Sequence, residues 1–409
     1  MTKRRQIILI LVCWLSYTLA QLGRYSYSSN VTLIIDKFAV EHAEASLPTT
    51  LFFFAYGVGQ ICVGIFCHKF NRKLLVVSAL MISGVINFVI FLGVEFFAIK
   101  YLWLLNGFVQ ANLWPVIMLI LRENLPSKSL SKAGIIMAIA STGGRFAAIG
   151  LCAIFAINTE MFMYCFLTAG ILLTTVALMF LFATGEIKKP EVVVANENAE
   201  KSAPKQKADR KTVILLILLG EFALANYAIS GGLQSWVPSI IKESYGVSDS
   251  LSIFMSVFLP LFAVPVAFLS PYLYKKLKNY VLISLIAFSS GALLITGVLL
   301  FLDVSWIPVM ILFAADSVAM GIVSNTTTVQ VPLTFNGKFD AGFLAGFLNG
   351  CCYIGTAMAT YVLGYIADAS GWTGALTVLI CLAVFSAILC LIYLIFTRKS
   401  KQVQTVQEN

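Results

Sequence analysis

Apolar residues fall in long runs along this chain, and charged residues are confined almost entirely to the gaps between them. Twelve runs can be drawn, at approximately 7–35, 48–67, 74–94, 99–121, 131–156, 162–184, 212–238, 250–273, 280–301, 306–331, 341–366 and 372–396. Each approaches the ~20 residues that an α-helix needs to cross bilayer hydrocarbon. The pattern predicts an all-α membrane protein with twelve transmembrane helices. The start, Met1-Thr2-Lys3-Arg4-Arg5, has the charge of a signal peptide. The apolar stretch behind it is too long, and no small-residue cleavage site follows, so a retained first helix is expected.

Composition adds exclusions. Of 409 residues, 59% are hydrophobic and 11% charged, which rules out a soluble enzyme. The net charge of +9 would suit nucleic acid, but its distribution points to the lipid bilayer as the partner instead. With the N-terminus inside, 23 of the 28 Lys and Arg residues fall in segments on the N-terminal side of the membrane. Lys37, Lys100 and Lys242 fall in outer loops, and Arg24 and Arg145 lie within spans. So strong a bias predicts a multi-pass protein of the cell membrane, with an even number of spans and both termini cytoplasmic. Nine cysteines are scattered with no metal-ligand spacing, and His42 and His68 both fall in short loops. No GxxxxGK[ST] loop is present, so ATP is not the direct energy source. An enzyme, a cofactor and a metal site all lack a supporting constellation, and a monomer is expected.

One long hydrophilic stretch interrupts the pattern, from Gly185 to Lys211, rich in Lys, Glu, Ala and Asn and nearly free of aromatics. Such a composition predicts a flexible cytoplasmic linker. It divides the chain into an N-terminal six-helix half (1–184), the linker (185–211), a C-terminal six-helix half (212–397) and a cytoplasmic tail (398–409). Span five carries Gly143, Gly144 and Gly150, and its counterpart, span eleven, carries Gly342-x-x-x-Gly346-x-x-x-Gly350. Small residues at that spacing predict close helix approach.

The candidate chemistry lies in the few charges inside the spans. Arg24, in Gln21-Leu22-Gly23-Arg24-Tyr25-Ser26-Tyr27, costs a few kcal/mol or more to hold in hydrocarbon and should face a protein interior or a watery cavity. No acid of its own helix sits one turn away, which favours an anion-binding role. Arg145 lies about thirteen residues past Lys132, near mid-depth at ~1.5 Å per residue. Glu221 and Asp316 are the intramembrane acids, both in the C-terminal half, and are the candidates for proton coupling. Two basic groups on one half and two acids on the other suggest a cavity with walls of opposite sign.

Short motifs along nearly the whole chain resemble the major facilitator superfamily, whose two six-helix halves are related by an axis along the membrane normal. Within it they resemble the organophosphate:phosphate antiporters, the glycerol-3-phosphate and hexose-phosphate transporters. The loop Gly64-Ile65-Phe66-Cys67-His68-Lys69-Phe70-Asn71-Arg72-Lys73 looks like the superfamily's cytoplasmic loop motif, with His68 where Asp is usual. Arg24 matches the family's first substrate arginine. Ala55-Tyr56-Gly57, Gln110-Ala111-Asn112-Leu113-Trp114-Pro115, Gly143-Gly144, Gly346-Phe347 with Tyr353, and Gly371-Trp372 also fit in order and spacing. The departures are equally specific. Aligning Trp236 and Pro238 with the family's Trp-x-Pro puts Ser230 where its second arginine stands. Gln60 replaces its span-two lysine, and Ala140 its span-five histidine.

The resemblance implies a secondary transporter of a small organic anion, such as a sugar acid, another carboxylate or an organophosphate, working by alternating access. Its substrate-binding residues would come from Arg24, Tyr25, Gln60, Gln110, Trp114, Arg145, Tyr227, Ser230, Trp236 and Tyr353, with Glu221 or Asp316 exchanging a coupling proton if the coupling is not to an exchanged anion. Two alternatives stay open: a proton-coupled symporter of neutral sugars or similar solutes, and a transporter-like membrane sensor of a metabolite.

Overall fold

The structure, a computed structural model, describes residues 2–66, 70–184, 210–331 and 341–407. The loop residues 67–69, which include His68, and most of the predicted linker (185–209) lie outside the described residues. Apart from short turns and loops, the described residues are helical. The first helices are α1 (Lys3–Ser28), α2 (Val31–Phe38), α3 (His42–Phe66), α4 (Arg72–Phe91), α5 (Phe96–Gln110), α6 (Leu113–Asn124), α7 (Ser127–Phe155) and α8 (Tyr164–Ala183). They are followed by α9 (Arg210–Tyr245), α10 (Asp249–Ser256), α11 (Phe258–Phe262), α12 (Val266–Leu277), α13 (Tyr280–Phe301), α14 (Trp306–Asn325) and α15 (Ala341–Gln407).

Eleven segments of the described residues are long and apolar enough to cross a membrane. The last of them, Gly346–Thr397, has 52 residues, ~78 Å of helix and enough for two crossings. Gly371 breaks α15 inside this segment, with φ 70° and ψ −178°, a conformation that only glycine adopts without strain. Division there yields the twelve predicted spans.

Three predicted spans are interrupted, each for a local reason. The first span stops at Ser28 rather than Ile35, because Asn30 turns its side-chain amide back onto the Ser26 carbonyl at 2.8 Å and α2 starts afresh. Span four breaks between α5 and α6 around Ala111, four residues before Pro115, where the ring collides with that carbonyl and no N–H is available. Span eight is cut twice by the same rule: α10 ends at Ser256, four before Pro260, and α11 ends at Phe262, next to the carbonyl four before Pro265.

The helices gather into two compact units, Met1–Lys205 with Ser235–Leu261, and Gln206–Gln234 with Phe262–Asn409. In the first unit the whole second half of α1, from Ala20 to Tyr27, is buried, because α7 and α8 pack along it and α3, α5 and α6 also touch it. The segment 235–261 is tied to this unit by polar contacts at one end of the bundle. Lys242 pairs with Asp36 at 2.6 Å and Asp249 at 2.9 Å, and Asp249 also accepts from the Thr32 hydroxyl at 2.7 Å. His42 lies 2.8 Å from Glu243, and Ser250 donates to the Ala153 carbonyl at 2.7 Å. At the opposite end of α4, Arg72 pairs with Glu123 of α6.

Close helix approach is partly where the small residues predict it. A Cβ on Gly144 would lie 2.7 Å from the Thr18 carbonyl oxygen, so α7 and α1 meet backbone to backbone there. Among the described residues, nothing lies within 4 Å of the Gly346 Cβ position, so Gly346 does not serve that purpose there. In α15 the close contact is made instead by Gly355, whose Cβ would collide with the Leu224 carbonyl of α9. Backbone must move to admit any side chain, so Gly355→Val should cost about 3 kcal/mol or more and greatly reduce the monodisperse yield after extraction. The same change at Gly346 should be tolerated, and thermal unfolding of both variants checks the contrast.

Candidate functional site

The first unit holds a basic site organised by α1. Arg24 is 5% exposed, although it is a charged residue of a transmembrane helix, one turn before the end of α1 at Ser28. Its Nε donates to Gln110 Oε1 at 3.4 Å, and its guanidinium carbon lies 4.5 Å from the ring centre of Tyr56 and 5.7 Å from that of Phe52. Tyr56 and Phe52 are four residues apart on α3, so both rings line one face of that helix and stack at 6.0 Å. Cation–π contacts of this kind contribute about 1–2 kcal/mol where water is excluded. Gln110 and the two rings position the guanidinium plane.

Gln110 is itself locked. Its Nε2 donates to Ser83 Oγ at 2.9 Å and to Asn106 Oδ1 at 3.1 Å. Ser83 donates to the same Asn106 oxygen at 2.7 Å, and Asn106 Nδ2 returns to the Gly23 carbonyl of α1 at 3.0 Å. Gln110, Asn106 and Ser83 are all fully buried, and the network closes a ring from Arg24 through α5 and α4 back to α1. A satisfied buried network of this kind fixes side-chain orientation. Sequence reasoning missed Ser83, Asn106, Tyr56 and Phe52 as site residues. The signal available was the four-residue spacing of Asn106 and Gln110, two large amides on one face of an otherwise apolar helix.

Tyr25 follows Arg24 directly and so points about 100° around α1. There it meets Arg145 of α7, whose guanidinium carbon is 4.9 Å from its ring centre. Arg24 and Arg145 thus occupy different sides of α1, each against aromatic surface. Trp114 of α6 packs on Tyr17 of α1 at 4.8 Å, and Gln60, half-buried, lies one turn along α3 from Tyr56. Trp236 is buried against His42, with ring centres 5.5 Å apart.

The second unit holds the remaining candidates. Tyr227 of α9 and Tyr353 of α15 meet edge-on at 6.3 Å. The Tyr227 hydroxyl accepts from Ser324 at 3.3 Å, and its carbonyl accepts from Thr356 at 3.2 Å. Ser230 is half-buried, three residues along α9 on the same side. The two acids are not on one surface. Glu221 Oε1 accepts from Ser386 at 2.7 Å, so it faces the last span. Asp316 is 1% exposed and faces α13, its Oδ1 3.1 Å from the position a Gly291 Cβ would take. Among the described residues that oxygen has no hydrogen-bond partner.

Known proteins match this chain at three levels. The fold agrees with a bacterial homologue of the human lysosomal transporter Spinster, in an inward-facing and occupied conformation, at TM-score 0.79 and 16% identity over 96% of this chain and 97% of that one. It agrees also with the nucleoside transporter NupG at TM-score 0.71 and 16% identity, over 95% and 98%. At such identities the agreement concerns fold alone. By sequence, the membrane sensor protein UhpC of Escherichia coli (strain K12) is 31% identical over 107 residues, 26% of this chain and 24% of that protein. Its Salmonella typhimurium counterpart is 29% identical over 113 residues, 28% of this chain and 25% of that protein. The match therefore takes in about a quarter of the length of these curated relatives. The family model of the Major Facilitator Superfamily matches residues 13–360. With that match and the twelve-span helical fold, this multi-pass membrane chain belongs to the Major Facilitator Superfamily, a family of small-molecule transporters and not of enzymes.

Proposed function

We propose that the protein is a secondary carrier of a small organic anion, with Arg24 as the principal anion contact. One observation carries the reading: a guanidinium buried inside a transmembrane helix and held in a fixed plane by Gln110, Tyr56 and Phe52. Arginine's planar fork meets carboxylate or phosphate through two parallel hydrogen bonds. Tyr25 with Arg145, on another side of α1, supplies further polar and aromatic contacts. The carrier sits in the cell membrane with both termini in the cytoplasm, the orientation that the charge bias favours. A thermal-shift screen of the purified chain tests the class directly, because a ligand that binds only the folded state raises its apparent stability. Sugar acids, other monocarboxylates and organophosphates should shift the transition, and neutral sugars should not.

The charge inventory narrows the substrate. A phosphomonoester carries close to two negative charges at pH 7; Arg24 matches one of them, and Arg145, a cation of the same half, lies against Tyr25 on another side of α1. Ser230 supplies no second cation from the C-terminal half. A monoanion should therefore compete better than a dianion. Asp316 or Glu221 would exchange a coupling proton; burial of Asp316 with one oxygen unpartnered among the described residues supports Asp316. Uptake should rise as external pH falls from about 8 to about 6, and Asp316→Asn or Glu221→Gln should abolish that dependence. Preference for the dianion at pH 8, with no effect of pH, would return the substrate to an organophosphate exchanged for phosphate.

The sequence likeness to a membrane sensor protein favours one second reading, in which the same site binds an extracellular metabolite and signals through a partner. Proteoliposomes separate the two. A carrier accumulates or exchanges labelled anion, whereas a sensor binds it with no flux.

A further inference from the structure

The second unit contains a cavity that the transport site does not use. It has a volume of ≈ 650 Å³ and lies where three helix ends converge: the start of α9 at Leu215, the start of α13 and the end of α15's second span. Its wall is apolar, formed by Leu215, Leu282, Leu285, Leu391, Leu394 and Ile395. Its rim is polar and basic. Lys278 lines the opening, and Lys275 and Lys276 stand exposed in the last turn of α12 directly before it.

This rim is a built turn. Lys278 takes the left-handed conformation (φ 49°) that caps α12, its N–H donating to the Tyr274 carbonyl at 2.8 Å. Asn279 then caps α13 by accepting from the N–H groups of Val281 and Leu282. Tyr274 and Tyr280 stack across the turn at 4.6 Å with their planes 7° apart. Lys278 is thereby held at the mouth of the apolar cavity, with Lys275 and Lys276 exposed on the same short segment at the end of α12.

We propose that this cavity binds an anionic glycerophospholipid, its acyl chain against the leucine wall and its headgroup phosphate at Lys275, Lys276 and Lys278. Two features select that occupant. An apolar cavity of this size offers water few partners, while hydrocarbon gains by filling it. The basic rim complements a phosphodiester charge, and lysines at a membrane boundary favour anionic over zwitterionic headgroups. A soluble phosphate compound would use the rim but leave the leucine wall empty.

Native mass spectrometry of the full chain, in detergent with equimolar dioleoyl phosphatidylglycerol and dioleoyl phosphatidylcholine, tests this. Bound phosphatidylglycerol should exceed phosphatidylcholine by about ten-fold or more, since each nearby lysine contributes roughly a factor of five. The triple change Lys275→Gln, Lys276→Gln, Lys278→Gln should bring the two lipids to parity; all three side chains are exposed, so folding is unaffected. Leu285→Trp, which leaves the charges intact and fills the cavity, should remove the bound lipid as well. Equal binding of the two lipids by the unaltered protein overturns the proposal, as does binding that survives both sets of changes. Displacement of the lipid by millimolar inorganic phosphate also overturns it, in favour of a soluble anion site.

Discussion

Arg24→Ala is expected to lower anion uptake by about 100-fold or more, with little loss of folded protein. The size follows from the chemistry. Removing one partner of a buried, hydrogen-bonded charge pair costs roughly 2–5 kcal/mol, and each ~1.4 kcal/mol is a factor of ten. Survival of the fold follows from the network. Gln110 keeps its bonds to Ser83 and Asn106 when the arginine is gone, so only one contact from its Oε1 is lost. Tyr56 and Phe52 lose a cation from their ring faces but remain stacked on each other. Arg24→Lys should recover little. Lysine retains the charge but not the planar fork, and its point charge cannot be oriented by Gln110 and Tyr56 as the guanidinium is. Initial rates of labelled substrate uptake, normalised to protein in the membrane, decide the matter. A normal rate in Arg24→Ala would remove this residue from the site and favour a neutral substrate.

Much of this was legible from sequence, and the reasons are physical. Twelve apolar runs read correctly as spans because a bilayer demands length and apolarity in every one of them. Interior breaks were less visible, since their effect depends on the carbonyl four residues back. Pro115, Pro260 and Pro265 each sit well inside a run that hydropathy alone treats as continuous. Arg24 stood out because a charge in hydrocarbon is costly wherever it points. The residues that orient it did not, because Ser83 and Asn106 are small polar groups of a kind common in membrane helices. Their role depends on three helices meeting around Gly23, and that meeting is a tertiary fact. Glycine spacing misled for the same reason: Gly346 and Gly355 look alike in sequence, yet only Gly355 faces a neighbouring backbone.

Gln110→Glu should abolish anion uptake as fully as loss of Arg24 itself, although it changes a single atom pair and leaves side-chain length unaltered. The carboxylate would stand where Oε1 now accepts from Arg24 Nε at 3.4 Å. Two opposite charges about 4 Å apart interact by roughly 4 kcal/mol at an effective dielectric near 20, enough to oppose an incoming anion by about a thousand-fold. The substituted group would thus act as a tethered competitor for the guanidinium. Its other oxygen would face Asn106 Oδ1 and Ser83 Oγ, which now accept from the Gln110 amide at 3.1 and 2.9 Å. Protonating the new carboxyl restores one donor to that side and releases Arg24, so part of the activity should return as pH falls. Gln110→Leu makes the informative contrast. It removes the orienting acceptor without introducing charge, and should raise KM by about ten-fold, the worth of one hydrogen bond to a charged group, while kcat changes little. An inactive Gln110→Glu beside a merely weakened Gln110→Leu assigns the defect to neutralised charge. If both variants fail equally, with normal amounts in the membrane, Gln110 matters for packing and the anion-site assignment of Arg24 loses its support. If both transport normally, the guanidinium is not where the substrate binds.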